Sequence, residues 1–205
     1  MGRFYPIIDL AESGDKGPPL ARELAESNCE MLQVRAKGAT SAQFFTFAQQ
    51  VVQAVGNSCR VIVNDRFDIA LAVGAAGVHL GEYDLPVGRV RKISPSGFII
   101  GATCRDPRMA RLVEKEGADY IGAGAVYKTG SKSDTRLIGL EGLASVAAAV
   151  KIPVYGIAGI TLDNCGEVVR AGAFGAAGIT VISRASDPGE TYRELEKALQ
   201  RALSS

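Results

Sequence analysis

The stretch GAAGVHLG at residues 74–81 contains the pattern that decides the fold: a glycine-alanine pair, a short spacer and a β-rich apolar run. Similar phrases recur as GADYIGAG at 117–124 and GAFGAAGI at 172–179. We interpret each phrase as the end of a helix, its glycine C-cap and the start of the next strand, because glycine readily adopts the left-handed conformation that ends many helices. The repeated phrase therefore predicts that helices and strands alternate.

Eight short apolar runs support this alternation. They cover residues 4–8, 31–34, 60–63, 77–80, 98–100, 120–122, 154–157 and 175–182. Between most of them lies a longer segment whose apolar residues have helical spacing. These segments cover residues 41–55, 108–116, 143–150, 164–171 and 190–203. Ser41 is the expected N-cap of the first of these helices.

Strand–helix alternation is typical of a parallel sheet, because parallel strands need long crossover connections. Eight units in 205 residues fit a compact α/β fold, the (β/α)₈ TIM barrel. A doubly wound open sheet is the alternative. No proline- or serine-rich linker and no block of charge marks a boundary, so we expect a single TIM-barrel domain over residues 1–205.

The composition argues against several classes of protein. Lys plus Arg is 23 and Asp plus Glu is 22, and this balance disfavours general binding to nucleic acid or to a membrane surface. No stretch approaches the roughly 20 apolar residues of a membrane span, and the N-terminus lacks a signal-peptide pattern. The four cysteines are far apart, as is typical of reduced thiols, so we expect a cytoplasmic protein. The oligomeric state stays open between monomer and homodimer.

His79 is the only histidine of the chain. A Cys/His zinc site or a Ser-His-Asp triad would have to use it, and nothing in its setting suggests either site. We therefore expect His79 to pack at the end of its strand.

In a TIM barrel, function lies on the loops that follow the strands. Gln33, Arg35 and Lys37 alternate, so in a strand all three side chains point the same way. Two cations on one face of a buried strand are costly without an anion, and an Arg-Lys pair suits a pyrophosphate. The alternative is that the cations pair with acids of neighbouring strands.

Carboxylates follow two neighbouring runs. Asp65 ends the third run and Asp84 follows the fourth, so the two side chains can share a hard divalent cation such as Mg²⁺. The alternative makes Asp65 a helix N-cap or an ion-pair partner of Arg66.

Two later segments have the composition of anion-binding loops. Residues 127–134, YKTGSKSD, contain hydroxyls and lysines that could close over an anion, although a solvated surface loop has the same composition. Residues 156–161, GIAGIT, and the pair Ile182-Ser183 follow the last two runs, where many TIM barrels bind a phosphate through backbone N–H groups.

Several motifs in fixed order resemble the thiamine-phosphate synthase family, also called thiamine-phosphate pyrophosphorylases. They are QVRAKG (33–38), VNDRFDIALAVGAAGVHLGEYDLP (63–86), YIGAGAVYKTGSK (120–132), IPVYGIAGITLDN (152–164) and GAFGAAGITVISRASDP (172–188). The resemblance extends from about residue 4 to residue 188. It implies a Mg²⁺-dependent transferase that joins hydroxymethylpyrimidine pyrophosphate to thiazole phosphate, giving thiamine phosphate and pyrophosphate.

The resemblance also implies roles for individual residues. Gln33, Arg35 and Lys37 contact the pyrimidine substrate and its pyrophosphate, and Asp65 and Asp84 bind Mg²⁺. Lys132 joins Arg35 and Lys37 as the catalytic cations. The remaining implied substrate contacts are Tyr5 near the pyrimidine ring, Asn64, Thr103, Thr129 and Ser131, with Gly159, Ile182 and Ser183 at the thiazole phosphate.

The chain departs from the family pattern near the same site. Glu82 stands where the family usually has Gln, and Arg105 stands where it usually has His. Ala125 and Lys128 replace two prolines, and Ala158 replaces the first residue of a Gly-Gly pair. These departures leave substrate preference and rate open, while the cations, carboxylates and hydroxyls are all present.

Two other functions compete with the synthase. A thiazole tautomerase shares this barrel but tends to lack the Gln-x-Arg-x-Lys motif and the paired aspartates, and it uses a histidine where this chain has Arg105. A non-catalytic protein that binds phosphate ligands is the third hypothesis. The synthase reaction needs no acid–base pair, because the electron-rich pyrimidine stabilises the cation left by pyrophosphate departure. The scarcity of histidine therefore favours the synthase.

Overall fold

The structure is a computed structural model that describes residues 2–128 and 137–204. Within those ranges the chain alternates between strands and helices, as the sequence predicts. The strands are β1 (Phe4–Asp9), β2 (Met31–Arg35), β3 (Arg60–Asn64), β4 (Gly77–Leu80), β5 (Ile99–Cys104), β6 (Tyr120–Ala123), β7 (Val154–Ile157) and β8 (Gly175–Gly178).

Helices connect the strands and surround them. They are α1 (Leu10–Ser13), α2 (Gly17–Glu26), α3 (Ser41–Val55), α4 (Phe67–Ala72), α5 (Val87–Ile93), α6 (Pro107–Lys115), α7 (Gly139–Ala147), α8 (Cys165–Arg170), α9 (Thr180–Ser183) and α10 (Pro188–Leu203), with a 3₁₀ turn at Gly14–Lys16 between α1 and α2.

The sheet closes on itself. Each strand pairs in parallel with the next, and β8 pairs back with β1 in a register that places Tyr5 opposite Ala177. This closure confirms the TIM barrel and excludes the doubly wound alternative, because an open sheet leaves its outer strands unpaired.

The glycine-alanine phrases lie where the sequence predicts. Gly74, Gly117 and Gly172 have φ angles of 68°, 97° and 94°, and each lies between the end of a helix and the start of a strand. Their left-handed conformation confirms their interpretation as helix C-caps.

Three local predictions are wrong. Thr40, not Ser41, caps α3: Thr40 is extended and forms a capping box with Gln43, whereas Ser41 is already the first helical residue. The run predicted at 98–100 is too short, since β5 extends from Ile99 to Cys104 and includes Thr103. The run at 175–182 is divided, because the N–H groups of Ile182 and Ser183 donate to the Ile179 carbonyl and close a helical turn.

Two apolar layers hold the barrel together. The outer layer lies between the strands and the helices, and side chains such as Ile8, Leu32 and Ile100 are fully buried in it. The inner layer fills the barrel with Tyr5, Ile7, Met31, Ile62, Tyr120, Tyr155 and Ala177. Fully burying an aliphatic or phenylalanine side chain stabilises the fold by roughly 1.5–3 kcal/mol, so both layers are needed to close a barrel of this length.

All four cysteines lie within the described ranges, and all are buried and free. No helix in the part of the chain that the structure describes combines the length and apolarity needed to cross a membrane.

Candidate active site

The carboxyl ends of the eight strands form one end of the barrel, which we call the mouth. Strand alternation places Gln33 and Arg35 inside the barrel, because Leu32 and Val34 point outward into the outer layer. The same alternation turns the side chains of His79 on β4 and Thr103 on β5 toward the interior of the barrel. The mouth is therefore lined by the last inward residues of the strands and by the loops that follow them.

The two cations predicted on β2 each meet a carboxylate. Arg35 forms an ion pair with Asp9 at the end of β1, and Lys37 Nζ lies 3.6 Å from Asp65 Oδ2. The alternative of pairing with neighbouring acids therefore describes the structure. Lys37 is not in the strand, because β2 ends at Arg35 and Lys37 lies in the turn that follows. Its side chain remains 58% exposed and can still reach an anion at the mouth.

Asp65 lies in a strained turn at the end of β3. Its φ angle is 62°, and Arg66 N donates to Asn64 O at 2.7 Å, which closes a tight γ-turn around it. Asn64 Nδ2 donates to Asp65 Oδ1 at 2.8 Å and fixes the carboxylate. Neither local alternative is correct, since Arg66 pairs with Asp68 and Arg66 itself occupies the cap position of α4. The turn aims Asp65 across the mouth.

Asp84 approaches Asp65 from the next loop. Asp84 N donates to Gly81 O at 3.2 Å and closes a turn. The Asp84 carboxylate folds back over this turn and accepts a hydrogen bond from Gly81 N, with 2.6 Å between Gly81 N and Asp84 Oδ2. A Cβ on Gly81 would lie 2.9 Å from Asp84 Oδ2 and 3.6 Å from Asp65 Oδ1. Gly81 therefore leaves the space in which the two carboxylates meet.

The electrostatics of this pair fit a hard cation. Burial raises the pKa of Asp65, the charge of Asp84 raises it further, and Lys37 lowers it. The two close carboxylates carry negative charge that Lys37 does not fully compensate. Among the described residues no group of three or more His, Cys, Asp or Glu side chains could hold a metal. The donor set thus fits Mg²⁺, which takes one or two carboxylates and completes its shell with phosphate oxygens and water.

Two of the departures from the family pattern contact each other. Arg105, after β5, forms an ion pair with Glu82, after β4. Within the described ranges, Arg105 Nε is one of two buried side-chain nitrogen or oxygen atoms without a hydrogen-bond partner. The charge that Glu82 adds beside the aspartates is therefore matched by the charge that Arg105 adds.

Below the mouth, five side chains form what we call the interior network. Gln33 Nε2 donates to Tyr5 OH at 3.1 Å, and Tyr5 OH lies 2.8 Å from Tyr120 OH. His79 Nδ1 lies 3.1 Å from Tyr120 OH, and His79 Nε2 lies 3.0 Å from Thr103 Oγ1. Tyr5 is therefore deeply buried beneath Gln33, and its hydroxyl is occupied.

Sequence reasoning missed the role of His79 in this network. His79 is buried, as expected of a packing residue, but both ring nitrogens have partners. Burial lowers its pKa to about 4, so the imidazole is neutral at physiological pH. The available signal was a polar residue on the inward side of a short strand, two positions after Gly77.

The predicted phosphate site lies at the ends of β7 and β8. Gly159 has a φ of 68°, and a Cβ there would lie 2.7 Å from Tyr127 Cβ. Ile182 and Ser183 lie in α9 and not at a strand end, and their N–H groups bond to Ile179 O. Ser183 Oγ is the second buried polar side-chain atom of the described residues that has no hydrogen-bond partner. The Ser183 hydroxyl is therefore free to bind a phosphate, whereas the N–H groups of Ile182 and Ser183 are already hydrogen-bonded.

Three predicted site residues, Thr129, Ser131 and Lys132, lie outside the described residues. Tyr5, another predicted site residue, lies deeper in the interior network, and the structure brings the remaining ones to one end of the barrel in two groups. Gln33, Arg35, Lys37, Asn64, Asp65, Asp84 and Thr103 lie along β2 to β5, and Gly159, Ile182 and Ser183 lie along β7 to α9.

Comparison with known proteins identifies close relatives. Residues 4–183 match the family model described as thiamine monophosphate synthase. The chain is 42% identical over 187 residues to a thiamine-phosphate synthase of Chlorobium limicola, covering 90% of this chain and 89% of that protein. It is 39% identical over 183 residues to a thiamine-phosphate synthase of Pyrococcus furiosus, covering 89% and 88%. A solved thiamine phosphate pyrophosphorylase from Pyrococcus furiosus is similar with a TM-score of 0.86 and 37% identity, covering 98% of this chain and 96% of that one.

Proposed function

The chain belongs to the thiamine monophosphate synthase family, and on that premise we propose how its own residues carry out the family reaction. The reaction joins hydroxymethylpyrimidine pyrophosphate to thiazole phosphate and releases thiamine phosphate and pyrophosphate, so the chain is a transferase. The observation that carries the proposal is the meeting of Asp65, Asp84 and Lys37 at the mouth, beside the Arg35–Asp9 pair.

The bonding changes define what the site must supply. The carbon–oxygen bond between the pyrimidine methylene and pyrophosphate breaks, and its electron pair leaves with pyrophosphate. The thiazole nitrogen lone pair then forms the new carbon–nitrogen bond. No proton moves, so catalysis consists of stabilising the negative charge that grows on the leaving group and of aligning the second substrate.

The cations of the mouth stabilise the leaving group in this proposal. Arg35 is held by Asp9 with its side chain only 17% exposed, so it contributes a fixed guanidinium fork. Lys37 is more exposed and adds a mobile point charge. Asn64 orients the Asp65 carboxylate and has a second amide hydrogen for the pyrophosphate.

Asp65 and Asp84 are the residues that would hold Mg²⁺. When bound there, the ion would neutralise part of the pyrophosphate charge. This assignment rests on the carboxylate pair and on the raised pKa of Asp65.

The thiazole phosphate is assigned to the Ser183 hydroxyl and the loop at Gly159, with Ile182 as the buried neighbour whose N–H group is already bonded to Ile179 O. The unpartnered Ser183 hydroxyl supports this assignment, because a buried hydroxyl without a partner is uncommon unless a ligand satisfies it. Thr129, Ser131 and Lys132 stay predictions of additional contacts to the substrates, with Lys132 as a catalytic cation.

The wider setting of the enzyme is also part of the proposal. One TIM-barrel domain over residues 1–205 would form the catalytic unit, as a monomer or as a homodimer. A reducing compartment such as the cytoplasm suits its four free cysteines.

The test is the coupling assay with an Asp65→Ala variant. The wild-type protein should form thiamine phosphate from both substrates with Mg²⁺, and Asp65→Ala should be slower by on the order of 10²-fold or more. Asp68→Ala is the matched control, because Asp68 lies three residues away in α4 and, among the described residues, forms its ion pair with Arg66 and not with Lys37.

The same assay separates the competing functions. Isomerisation of the thiazole without coupling would indicate a tautomerase, and ligand binding without turnover would indicate a binding protein. An Asp65→Ala variant with wild-type kcat and wild-type Mg²⁺ dependence would refute the metal role while leaving the coupling reaction intact.

A further inference from the structure

We propose that His79 is a positioning residue, which acts through the Thr103 hydroxyl on the pyrophosphate substrate. The hydrogen bonds of the interior network run in one direction, from Gln33 through Tyr5, Tyr120 and His79 to Thr103. This direction turns the Thr103 hydroxyl hydrogen toward the mouth as a donor to an anion. The inference rests on the proposed function for the identity of that anion, but the direction of the network is testable without it.

The direction follows from the orientation of the Gln33 amide, whose nitrogen faces Tyr5 OH, and from counting hydrogens along the network. Gln33 Nε2 donates to Tyr5 OH, so the single hydrogen of Tyr5 is free for Tyr120 OH. The single hydrogen of Tyr120 then goes to His79 Nδ1, which must be the unprotonated nitrogen of a neutral ring. His79 Nε2 therefore carries the ring hydrogen and donates it to Thr103 Oγ1.

In this direction each hydroxyl or ring hydrogen that links two members of the network has an acceptor. If His79 instead donated from Nδ1, Tyr120 would have to donate to Tyr5, whose oxygen already accepts from Gln33. The hydrogen of Tyr5 would then lack an acceptor within the network. An unmet buried hydroxyl costs about 1–3 kcal/mol, which decides between the two arrangements.

The surroundings keep the network neutral. Tyr5, Tyr120 and His79 are buried, and burial raises the pKa of both phenols. The hydroxyls of Tyr120 and Thr103 face the two ring nitrogens, and among the described residues no carboxylate is hydrogen-bonded to the ring. A neutral ring with one hydrogen has a definite direction, whereas an imidazolium would donate from both nitrogens.

Two glycines make the space for this ring and its phenol partner. A Cβ on Gly101 would lie 2.2 Å from Tyr120 Cζ and 2.6 Å from His79 Nδ1. A Cβ on Gly122 would lie 3.1 Å from His79 Cε1. Both glycines are on inward positions of β5 and β6; a side chain at 101 would disrupt the contact between His79 and Tyr120, and a side chain at 122 would press against the His79 ring.

The consequence for Thr103 is a defined polarity. Its oxygen accepts from His79, so its own hydrogen points elsewhere, and its partly exposed position on β5 faces the mouth. In the opposite arrangement the Thr103 hydroxyl would donate its hydrogen to His79 and would present only lone pairs to a pyrophosphate. His79 thus determines whether Thr103 attracts or repels the leaving group.

The first test reads the tautomer directly. Because His79 is the only histidine, a long-range ¹H–¹⁵N spectrum of uniformly labelled wild-type protein contains one imidazole and needs no assignment. We expect a neutral ring at pH 7 with the hydrogen on Nε2. A ring with its hydrogen on Nδ1, or an imidazolium at that pH, would overturn the proposal.

The second test uses two substitutions of His79. The amide nitrogen of His79→Gln can reach the Nε2 position and donate to Thr103, whereas the shorter His79→Asn reaches only the Nδ1 position. We expect His79→Asn to lower kcat/KM for the pyrimidine pyrophosphate about tenfold and His79→Gln to lower it about threefold, with the KM for thiazole phosphate unchanged. Equal losses in the two variants, or a matching rise in that KM, would indicate a merely structural role.

A double-mutant cycle then connects His79 with Thr103. Thr103→Val should cost about tenfold, and adding His79→Asn should cost less than about twofold more, because both changes remove the same donor. Thr46→Val, on the exposed face of α3, is the control for the substitution itself. Losses that multiply would overturn the proposal. If the wild-type protein forms no thiamine phosphate, the proposed function fails, and the tautomer still decides the direction of the network.

Discussion

The mouth and the interior network lie on successive levels of one barrel, and they differ in charge, in burial and in backbone strain. At the mouth, Lys37 and Asp65 are charged and partly exposed, and their ion pair can be exchanged for a substrate. In the interior network, Tyr120 and His79 are buried and neutral, and each hydrogen bond has a single partner.

The backbone shows the same contrast. Asp65 and Ala158, both at the mouth, have positive φ angles of 62° and 84°, whereas no residue of the interior network does. Strain of this kind costs of order 1–3 kcal/mol per residue and persists where the surrounding structure enforces it. The buried network is therefore rigid and fixes the direction of its hydrogen bonds, whereas the mouth carries charged groups that can exchange their partners for a substrate.

The largest effect expected from this division is on a mouth cation. Lys37→Ala should lower kcat/KM by on the order of 10²-fold or more, because it removes charge that stabilises the leaving group. The free energy of unfolding should change by less than about 1 kcal/mol, since exposed ion pairs contribute little to stability. Steady-state kinetics and urea unfolding measure the two quantities on the same preparation.

Lys92→Ala, on the exposed surface of α5, is the control for the loss of a lysine and should leave kcat/KM unchanged. A Lys37→Ala variant that lost stability and activity in parallel would contradict the division, because Lys37 would then be part of the rigid framework.

The second prediction concerns acid stability and tests the neutral interior. Burial lowers the pKa of His79 from 6.5 to about 4. Between pH 6.5 and pH 4, His79 is therefore protonated in the unfolded chain and neutral in the folded chain. The contribution of His79 to the free energy of unfolding should therefore be fully present above pH 6.5 and should decrease as the pH falls toward 4. At pH 5 the decrease should be about 2 kcal/mol.

The measurement is the free energy of unfolding at pH 7 and at pH 5 for the wild type and for His79→Gln. The variant lacks the titrating ring, so its loss between the two pH values should be smaller by that amount. An identical loss in both proteins would mean that His79 is protonated in the folded state, which contradicts a neutral network.

The third prediction concerns the charge balance of the mouth. Glu82 and Arg105 pair with each other, so Arg105→Gln leaves an unmatched carboxylate beside Asp84 that repels the pyrophosphate. We expect kcat/KM to fall about tenfold, and the double substitution Glu82→Gln with Arg105→His to return it to within about twofold of wild type.

Salt provides the check on this explanation. The tenfold deficit of Arg105→Gln should shrink at high ionic strength, because screening weakens repulsion between exposed charges. A deficit that salt does not change, or a double variant as slow as Arg105→Gln, would show that Arg105 contacts the substrate directly and does not merely balance Glu82.

Much of the fold could be predicted because the sequence repeats its signals. The glycine phrases ending at Gly81, Gly124 and Ile179 gave the alternation, and 41–55 was placed correctly as α3. The helix α2 was missed because it begins Gly-Pro-Pro, which is typical of a loop although proline is tolerated in the first turn of a helix. The residues of α9 predict a strand because Ile, Thr and Val favour strands, whereas the hydrogen bonds to Ile179 O close a helical turn.

The site divides in the same way. Sequence order and strand alternation predicted that Asp65, Asp84 and Lys37 would converge, because the carboxyl ends of parallel strands meet at one edge. The partner of each cation could not be predicted, since the register that places Asp9 opposite Arg35 on the neighbouring strands β1 and β2 is not readable from the sequence. The interior network was missed for the same reason: it joins Tyr5, Tyr120 and His79 across the barrel.

The smallest expected effect concerns strain at the mouth. Ala158 has a φ of 84°, a conformation that costs an L-residue about 1–2 kcal/mol and costs glycine almost nothing. Because glycine also gains freedom in the unfolded chain, Ala158→Gly should stabilise the protein by a net 0.5–1 kcal/mol, about the size of these opposing terms. The matched control is Ala171→Gly at the end of α8, where φ is −75°, and it should destabilise by about 0.5–1 kcal/mol. Urea midpoints with unchanged m values report both signs. If both glycines destabilised the protein, the mouth would store no strain at Ala158, and the contrast with the relaxed interior would rest on Asp65 alone.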